Sequence, residues 1–161
     1  MKITTPEMEI ALAQHFNFRQ RLIVPNVSWG MYFPELRQAL HECDLLICTS
    51  SGYLWECEIK ISKADLIKDK EKWHRHFHPA IRRLYFAIPE SLMGCIEYIP
   101  ERAGIVVVKT MGRCDEIRKP KQDKGIPLSD NQRLKMAMLG TMRIWSLKKN
   151  LLKKQSLKQE K

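Results

Sequence analysis

Two strand-like segments flank a short polar turn near the middle of the chain. Residues 43 to 49 are apolar around one acid, residues 50 to 52 read Ser-Ser-Gly, and charged and apolar side chains alternate within residues 53 to 61. Serine and glycine are typical of tight turns, and a period of two is typical of a strand whose two faces differ. The pattern therefore predicts a β-hairpin.

Charged residues share one face of this predicted hairpin. Because successive side chains of a strand point to opposite faces, Glu56, Glu58 and Lys60 lie together, while the residues between them face the other way. A hairpin that closes symmetrically about Ser51 places Asp44 across from Glu58. Unpaired charges buried in an apolar sheet are costly. This face therefore needs a counter-ion, and a divalent metal ion is the natural candidate.

The remaining apolar pattern predicts further helices and strands. Thr4 or Thr5 caps a first helix with Pro6 at its first position, and Ser62 caps a second one. Pro25 lacks an amide donor, so its strand is predicted at a sheet edge or a bulge. The predicted strands cover residues 21–29, 43–49, 53–61, 82–88 and 104–109, and the predicted helices cover residues 5–16, 34–41, 62–73 and 90–98.

The order of these elements predicts the fold class. Strand, helix and strand follow one another from residue 82 to residue 109, which is typical of a crossover between roughly parallel strands. We therefore expect an α/β fold whose mixed central sheet has about five strands, with helices on its faces.

The last part of the chain has a different pattern. Residues 111 to 127 are basic and punctuated by proline and glycine, which predicts a linker, and Ser129 with Gln132 forms a capping box for a helix that runs to about Lys154. We expect its apolar stripe to dock on the core, although such a basic helix could also form a homodimer, touch a membrane or bind nucleic acid. The stripe contains Leu134, Met138, Met142, Trp145 and Leu152.

The net charge of +10 is distributed unevenly. Residues 1–108 contain 13 Lys or Arg and 13 Asp or Glu, whereas residues 109–161 contain 15 and 5. This asymmetry predicts a neutral domain over residues 1–110, a basic linker over residues 111–128 and a basic amphipathic helical tail over residues 129–161. The phosphates of DNA are the partner that we expect for the basic face of this tail. The lysines expected to contact them are Lys148, Lys149, Lys153 and Lys154.

The composition favours a cytoplasmic protein. No apolar run approaches the roughly 20 residues that cross a bilayer, and the first residues, MKITTPEMEI, are too polar and acidic for a signal peptide. The five cysteines are odd in number and contain no C-x-x-C pair, which favours reduced thiols. We therefore expect no membrane partner.

The hairpin resembles a known active-site signature. Asp44, followed after the turn by Glu58-Ile59-Lys60, resembles the signature of the PD-(D/E)XK phosphodiesterase superfamily, with Cys43 where the superfamily name has proline. The run ECEIKISKADLIKDKEKWH is similar to the MmcB-type DNA repair proteins, a branch of that superfamily. The resemblance covers about residues 5 to 110. It implies a restriction-endonuclease-like fold and a nuclease of a DNA repair or mobile-element pathway.

The residue types suit metal-dependent phosphodiester hydrolysis. Asp44, Glu58 and the carbonyl group of Ile59 would hold Mg²⁺, with Mn²⁺ as a substitute. Lys60 would orient the attacking water and stabilise the charge that develops on the phosphate. Glu56, on the same face, would either hold a second metal ion or accept a hydrogen bond from Lys60.

A glutamate of the first helix is a further candidate. Many members of the superfamily place such a glutamate at the metal site, and Glu9 matches that placement best, with Glu7 as the second choice. Alternatively, both carboxylates simply favour the positive end of the helix electrostatically.

The second predicted helix and the loop after it carry more candidates. Asp65, Asp69 and Lys72 recur at helical spacing; we expect Lys72 to reach substrate phosphate and Asp69 to lie on a solvated face. Three histidines at positions 74, 76 and 78 precede a proline. A loop that contacts phosphate or caps a helix is favoured over a zinc site, because no cysteine pair is near.

Two functions of different classes follow from these observations. The first is a metal-dependent DNA nuclease, in which Asp44, Glu58 and Lys60 do the chemistry. The second is a non-catalytic DNA-binding or recombination accessory protein whose carboxylates are structural. The presence of all three residues favours the nuclease, because a degenerate site is expected to lose at least one of them.

Overall fold

Helices and strands alternate along most of the chain. The computed structural model describes residues 3–27, 31–69 and 76–159. Within these ranges the helices are α1 (Thr5–His15), α2 (Lys63–Asp69) and α3 (Asp130–Gln159). The strands are β1 (Leu22–Val27), β2 (Tyr32–Phe33), β3 (Gln38–Ala39), β4 (Cys43–Cys48), β5 (Leu54–Ile59), β6 (Ile81–Pro89), β7 (Gly104–Val108) and β8 (Cys114–Arg118). Short 3₁₀ helices span Pro34–Leu36, Glu90–Tyr98 and Thr110–Gly112.

Six of the strands form one mixed sheet. Their order is β1-β4-β5-β6-β7-β8. The β5–β6 and β6–β7 pairs are parallel, and the other three pairs are antiparallel. The predictions of a mixed α/β sheet and of a parallel crossover before β7 are confirmed, with one strand more than expected. Strand β1 lies at an edge, where the missing amide donor of Pro25 is tolerated.

Two segments differ from the sequence-based prediction. Cys114–Arg118, inside the predicted linker, forms edge strand β8, which pairs on one side only with β7. None of its five residues is fully buried, so the apolar pattern of a central strand is absent here. The predicted helix over residues 34–41 is instead a 3₁₀ turn between β2 and β3, and it stops at Arg37, whose φ of 50° is left-handed. The predicted end of the second helix lies outside the described residues.

The two faces of the sheet are covered differently. Helix α1 packs through Met8, Ala11 and Leu12 against the face that contains Cys57 and Ile59. The opposite face carries two separate apolar clusters, one around β4 and the start of β5, and one between α2 and strands β6 and β7. The charged side chains of the hairpin lie on this second face.

Helix α3 docks through a different face from the one predicted. Met136 is fully buried against the core with Leu139 beside it, and a Cβ added to Gly140 would lie 3.4 Å from Val24 of β1. An added Cβ would make only an ordinary van der Waals contact there, so α3 and β1 are neighbours at this point. The predicted stripe of Leu134, Met138, Met142, Trp145 and Leu152 is exposed. Within the described ranges, no helix combines the length and the apolar character needed to cross a membrane.

We expect Gly104→Ala to destabilise the sheet by about 1–3 kcal/mol, the usual cost of overpacking. A Cβ at Gly104 would lie 2.8 Å from the ring of Tyr85 and 2.8 Å from Pro120. Gly94→Ala is the matched control, because no described atom lies within 4 Å of its Cβ position. Urea unfolding checks the difference; equal midpoints for the two variants would contradict it.

Candidate active site

Asp44 and Glu58 meet where the β4–β5 ladder ends. The last ladder pair is Leu45 opposite Cys57, and the same register continued by one residue places Asp44 opposite Glu58, as predicted. Side chains there replace the ladder: Asp44 Oδ2 accepts a hydrogen bond from Ile59 N–H at 2.9 Å, and Glu58 Oε1 accepts one from Asp44 N–H at 3.4 Å. The two carboxylates are therefore held by backbone donors of the opposite strand.

Lys60 lies among three carboxylates. Its Nζ is 2.7 Å from Glu58 Oε2, 2.8 Å from Asp69 Oδ1 and 3.8 Å from Asp44 Oδ2. Lys60, Glu58 and Asp69 are buried, whereas the Asp44 side chain is 38% exposed. Asp44 therefore marks the side from which solvent, an ion or a phosphate can approach this group.

Two histidines extend the network on the other side. Glu56 Oε1 lies 2.8 Å from His41 Nε2 and 2.8 Å from His76 Nδ1. His76 Nε2 lies 2.6 Å from Asp69 Oδ2, so His76 bridges two carboxylates and closes a chain that reaches Lys60. The whole network occupies the sheet face between the two apolar clusters.

Mutual pairing keeps these buried groups ionised. Burial acts against charge, but Glu58 and Asp69 outweigh it and hold the pKa of Lys60 above its usual value. Burial likewise tends to raise the pKa of Asp69, yet the bonds from His76 and Lys60 hold it well below its ordinary range. The pKa of Glu56 is lowered for the same reason, by hydrogen bonds from His41 and His76 that exceed the effect of burial.

In metal-free protein we expect stability to fall as the pH rises from about 6.5 to about 9. Burial lowers the pKa of His76, but hydrogen bonds to Asp69 and Glu56 dominate and raise it to about 9. The folded protein thus binds this proton more tightly than the unfolded chain, and the resulting stability, on the order of 3 kcal/mol, is lost through that window. Urea unfolding in EDTA at several pH values checks it. An unchanged profile in His76→Gln would contradict the assignment.

Three members of the network were not identified from the sequence. Asp69 was expected on a solvated face, and this was wrong, because it is 6% exposed and contacts Lys60 and His76. His76 and His78 are also buried, so neither lies on a phosphate-contacting surface loop. His41 precedes β4 and carried no motif. The sequence did offer one signal: the hairpin carries more carboxylates than lysines. Buried carboxylates require cationic partners, so further ones had to come from elsewhere in the chain.

The glutamates of α1 do not reach this network. Glu9 Oε1 accepts a hydrogen bond from the Asn26 side chain at 3.1 Å, and α1 covers the sheet face opposite to Glu56 and Glu58. Glu7 accepts hydrogen bonds from the backbone and hydroxyl of Thr4 at the start of the helix. The placement of Glu7 therefore agrees with the alternative expectation, a role at the helix N-terminus, whereas Glu9 instead contacts Asn26.

The predicted DNA-contacting lysines lie mainly on α3. Lys148, Lys149 and Lys153 are exposed on its distal half. Lys154 lies on the same helix, with its side chain outside the described part of the structure. Lys72 also falls outside the described residues.

Asp44 and Glu58 offer oxygen donors of the kind that hard divalent cations prefer, although three of their four carboxylate oxygens already accept hydrogen bonds. Both residues supply carboxylate oxygens at the splayed end of the hairpin, next to the backbone of Ile59. Mg²⁺ prefers oxygen ligands and keeps several waters, so it needs only one or two carboxylates and an open side. The partial exposure of Asp44 supplies that open side.

Comparisons with known proteins describe the fold alone. No family model matches the chain, and no curated protein does. The structure is similar to that of the SPO1766 protein of unknown function from Silicibacter pomeroyi, with a TM-score of 0.59 and 16% sequence identity. The match covers 94% of this chain and 93% of that one, so it extends over the sheet and its flanking helices.

Proposed function

We propose that this chain is a metal-dependent DNA phosphodiesterase with a restriction-endonuclease-like fold, of the PD-(D/E)XK superfamily and its MmcB-type branch. The observation that carries the proposal is the geometry of Asp44, Glu58 and Lys60. Two carboxylates face each other across a hairpin, and one ammonium lies 2.7 Å and 3.8 Å from their oxygens. We assign this phosphodiesterase to a DNA repair or mobile-element pathway.

The residues divide the chemistry among them. Asp44, Glu58 and the carbonyl group of Ile59 would hold Mg²⁺, or Mn²⁺ in its place. The bound ion would polarise the phosphate and lower the pKa of a water molecule. Lys60 remains protonated among its carboxylate partners, so it acts as a donor that orients the attacking water and stabilises negative charge on phosphorus.

Asp69 and His76 act as positioning residues in this proposal. Asp69 Oδ1 forms an ion pair with Lys60 Nζ at 2.8 Å, and Asp69 Oδ2 accepts a hydrogen bond from His76 Nε2 at 2.6 Å. The ammonium group of Lys60 is thereby held at the site and does not have to move in from solvent. Such preorganisation places a charge before the transition state forms and requires no reorganisation during the reaction.

Arginines stacked on aromatic rings offer a surface for the DNA backbone. Arg82 lies 3.9 Å from the ring centroid of Tyr53, and Arg83 and Arg21 lie 4.8 Å and 4.5 Å from that of Trp55. These side chains lie at the turn end of the hairpin, away from Asp44 and Glu58, so with the exposed lysines of α3 they would bind phosphates remote from the cleavage site, without reading bases.

Cleavage assays on purified protein test the proposal. Labelled duplex, single-stranded, branched and damaged DNA are incubated with Mg²⁺, with Mn²⁺ and with EDTA. Metal-dependent cleavage of at least one substrate, which EDTA abolishes, is the expected result. Binding without cleavage in every arm would favour the accessory-protein alternative.

The five free thiols support the cytoplasm, a reducing compartment, as the location.

We expect the distal lysines of α3 to dominate the salt dependence of DNA binding. If the tail neutralises about five phosphates, log K falls with log salt at a slope of about −4.5 for duplex DNA. Changing Lys148, Lys149, Lys153 and Lys154 to glutamine should flatten the slope by about 3. The matched control changes the same four residues to arginine and should keep the slope. An unchanged slope in the glutamine variant would assign this face to another partner.

A further inference from the structure

A second group of metal-ligating side chains lies beside the proposed magnesium site. One ligand atom each from His41, Cys43 and Glu56 lie within 4.8 Å of one another. His41 and Cys43 lie just before and at the start of β4, and Glu56 reaches them from β5. The set combines an imidazole, a thiol and a carboxylate, which differs in chemistry from the oxygen donors of Asp44 and Glu58.

One polar atom in this group lacks a partner. Glu56 is 0% exposed, and its Oε2 makes no hydrogen bond to any described residue, while Oε1 contacts both His41 and His76. A buried carboxylate oxygen without a partner costs stability, so it calls for an explanation such as a bound ion. This observation is independent of the spacing of the ligand atoms.

A neighbouring set is less suited to an ion. Atoms of Glu56, Glu58 and His76 also lie close together. However, each ring nitrogen of His76 is hydrogen-bonded to a carboxylate: Nε2 lies 2.6 Å from Asp69 Oδ2, and Nδ1 lies 2.8 Å from Glu56 Oε1. This arrangement suits a doubly protonated ring. Glu58 in turn is paired with Lys60 at 2.7 Å. Cationic side chains already fill this second set.

We infer that His41, Cys43 and Glu56 bind a transition-metal ion of the zinc class. Imidazole and thiolate ligands select Zn²⁺ and similar ions over Mg²⁺. The His41 side chain is 9% exposed and provides the route of entry. Binding releases the thiol proton of Cys43 to solvent, because the thiolate is the ligand.

The rearrangement that His41 and Glu56 require is small. The His41–Glu56 contact of 2.8 Å is a hydrogen bond, whereas two ligands about 2.0 Å from a tetrahedral zinc lie roughly 3.3 Å apart. The ion would take the place of the proton on His41 Nε2, which would move to Nδ1 or to solvent, and would separate His41 from Glu56 by about half an ångström. The Glu56 carboxylate would turn so that Oε2 also faces the ion. Three protein ligands leave the fourth position open to water.

Titration with Co²⁺ and Zn²⁺ tests the inference. We expect one ion per chain by elemental analysis, and a thiolate-to-cobalt charge-transfer band with Co²⁺. Cys43→Ala should lose the band, and Cys43→Ala and Glu56→Gln should weaken Zn²⁺ binding by more than about 100-fold, beyond the loss typical of outer-shell changes. Cys57→Ala, which removes a buried thiol on the opposite sheet face, is the matched control and should bind normally.

Three outcomes would overturn the inference: no bound Zn²⁺ in the wild-type protein, an unchanged cobalt band in Cys43→Ala, or loss of that band in Cys57→Ala. His41→Gln, at a partly exposed position, replaces Cys43→Ala if the latter does not fold. The test is separate from the nuclease proposal, because Asp44→Asn should keep the cobalt band. Zinc binding without DNA cleavage would leave this inference standing and remove the proposed function.

Discussion

Asp44→Asn should reduce Mg²⁺-dependent DNA cleavage by at least about a thousandfold, equivalent to about 4 kcal/mol of barrier stabilisation. The amide oxygen can still accept the hydrogen bond that Ile59 N–H donates to Asp44 Oδ2, so the hairpin should keep its geometry. Only the negative charge that faces the open side of the site is removed. Single-turnover assays with saturating DNA and Mg²⁺ measure the effect.

The same variant should lose the stabilisation that Mg²⁺ confers. At a hundredfold excess over Kd, a bound ion adds about 2.7 kcal/mol to the free energy of unfolding. Asp115→Asn is the matched control, because Asp115 pairs with Lys109 and Arg113 at the far edge of the sheet, outside the network. Cleavage by Asp44→Asn at the wild-type rate would contradict the assignment of Asp44 to the metal site.

Lys60→Met should destabilise the metal-free protein by about 3–5 kcal/mol, the usual cost of breaking a buried ion pair. Methionine has a similar length, so the change removes charge and leaves most of the volume. Glu58 and Asp69 would then lie buried without the ammonium that now lies 2.7 Å and 2.8 Å away. Urea unfolding in EDTA measures the loss. Lys68→Met, at an exposed position on α2, should change stability by less than about 0.5 kcal/mol.

Two further measurements separate charge from packing at Lys60. Adding Asp69→Asn to Lys60→Met should recover part of the lost stability, because one uncompensated charge is removed. Mg²⁺ should still stabilise Lys60→Met, since Asp44 and Glu58 remain, whereas cleavage should be lost. Equal stability of Lys60→Met and Lys68→Met would contradict the buried-network description.

The charged network divides the apolar packing of one sheet face. On one side lie Leu46 and Leu54, and on the other lie Leu84, Phe86 and Leu66, all of them buried. Groups held between such clusters cannot change rotamer without disturbing close packing. The fold therefore fixes the side chains from which the proposed chemistry is built, and among the described members of the network Asp44 is the most exposed.

Local rules were sufficient for the hairpin and its register. The turn residues around Ser51 and the alternation along β5 placed Asp44 opposite Glu58, because strand register depends on the turn and a period of two. The same reasoning placed β1 at an edge through Pro25, and α1 after Thr4. These features depend on neighbours in sequence, so the sequence by itself determined them.

Only the tertiary structure decided which other residues join the site. His41, Asp69 and His76 come from a loop, a helix and a second loop, and they meet because strand pairing brings these segments to one sheet face. The face of α3 that docks was likewise decided by the packing of Met136 and Leu139 against the core rather than by the longest apolar stripe. Glu9 does not belong to the site, because α1 packs on the opposite face of the sheet. Long-range packing selects among faces that are equivalent in the sequence, and no local pattern encodes that choice.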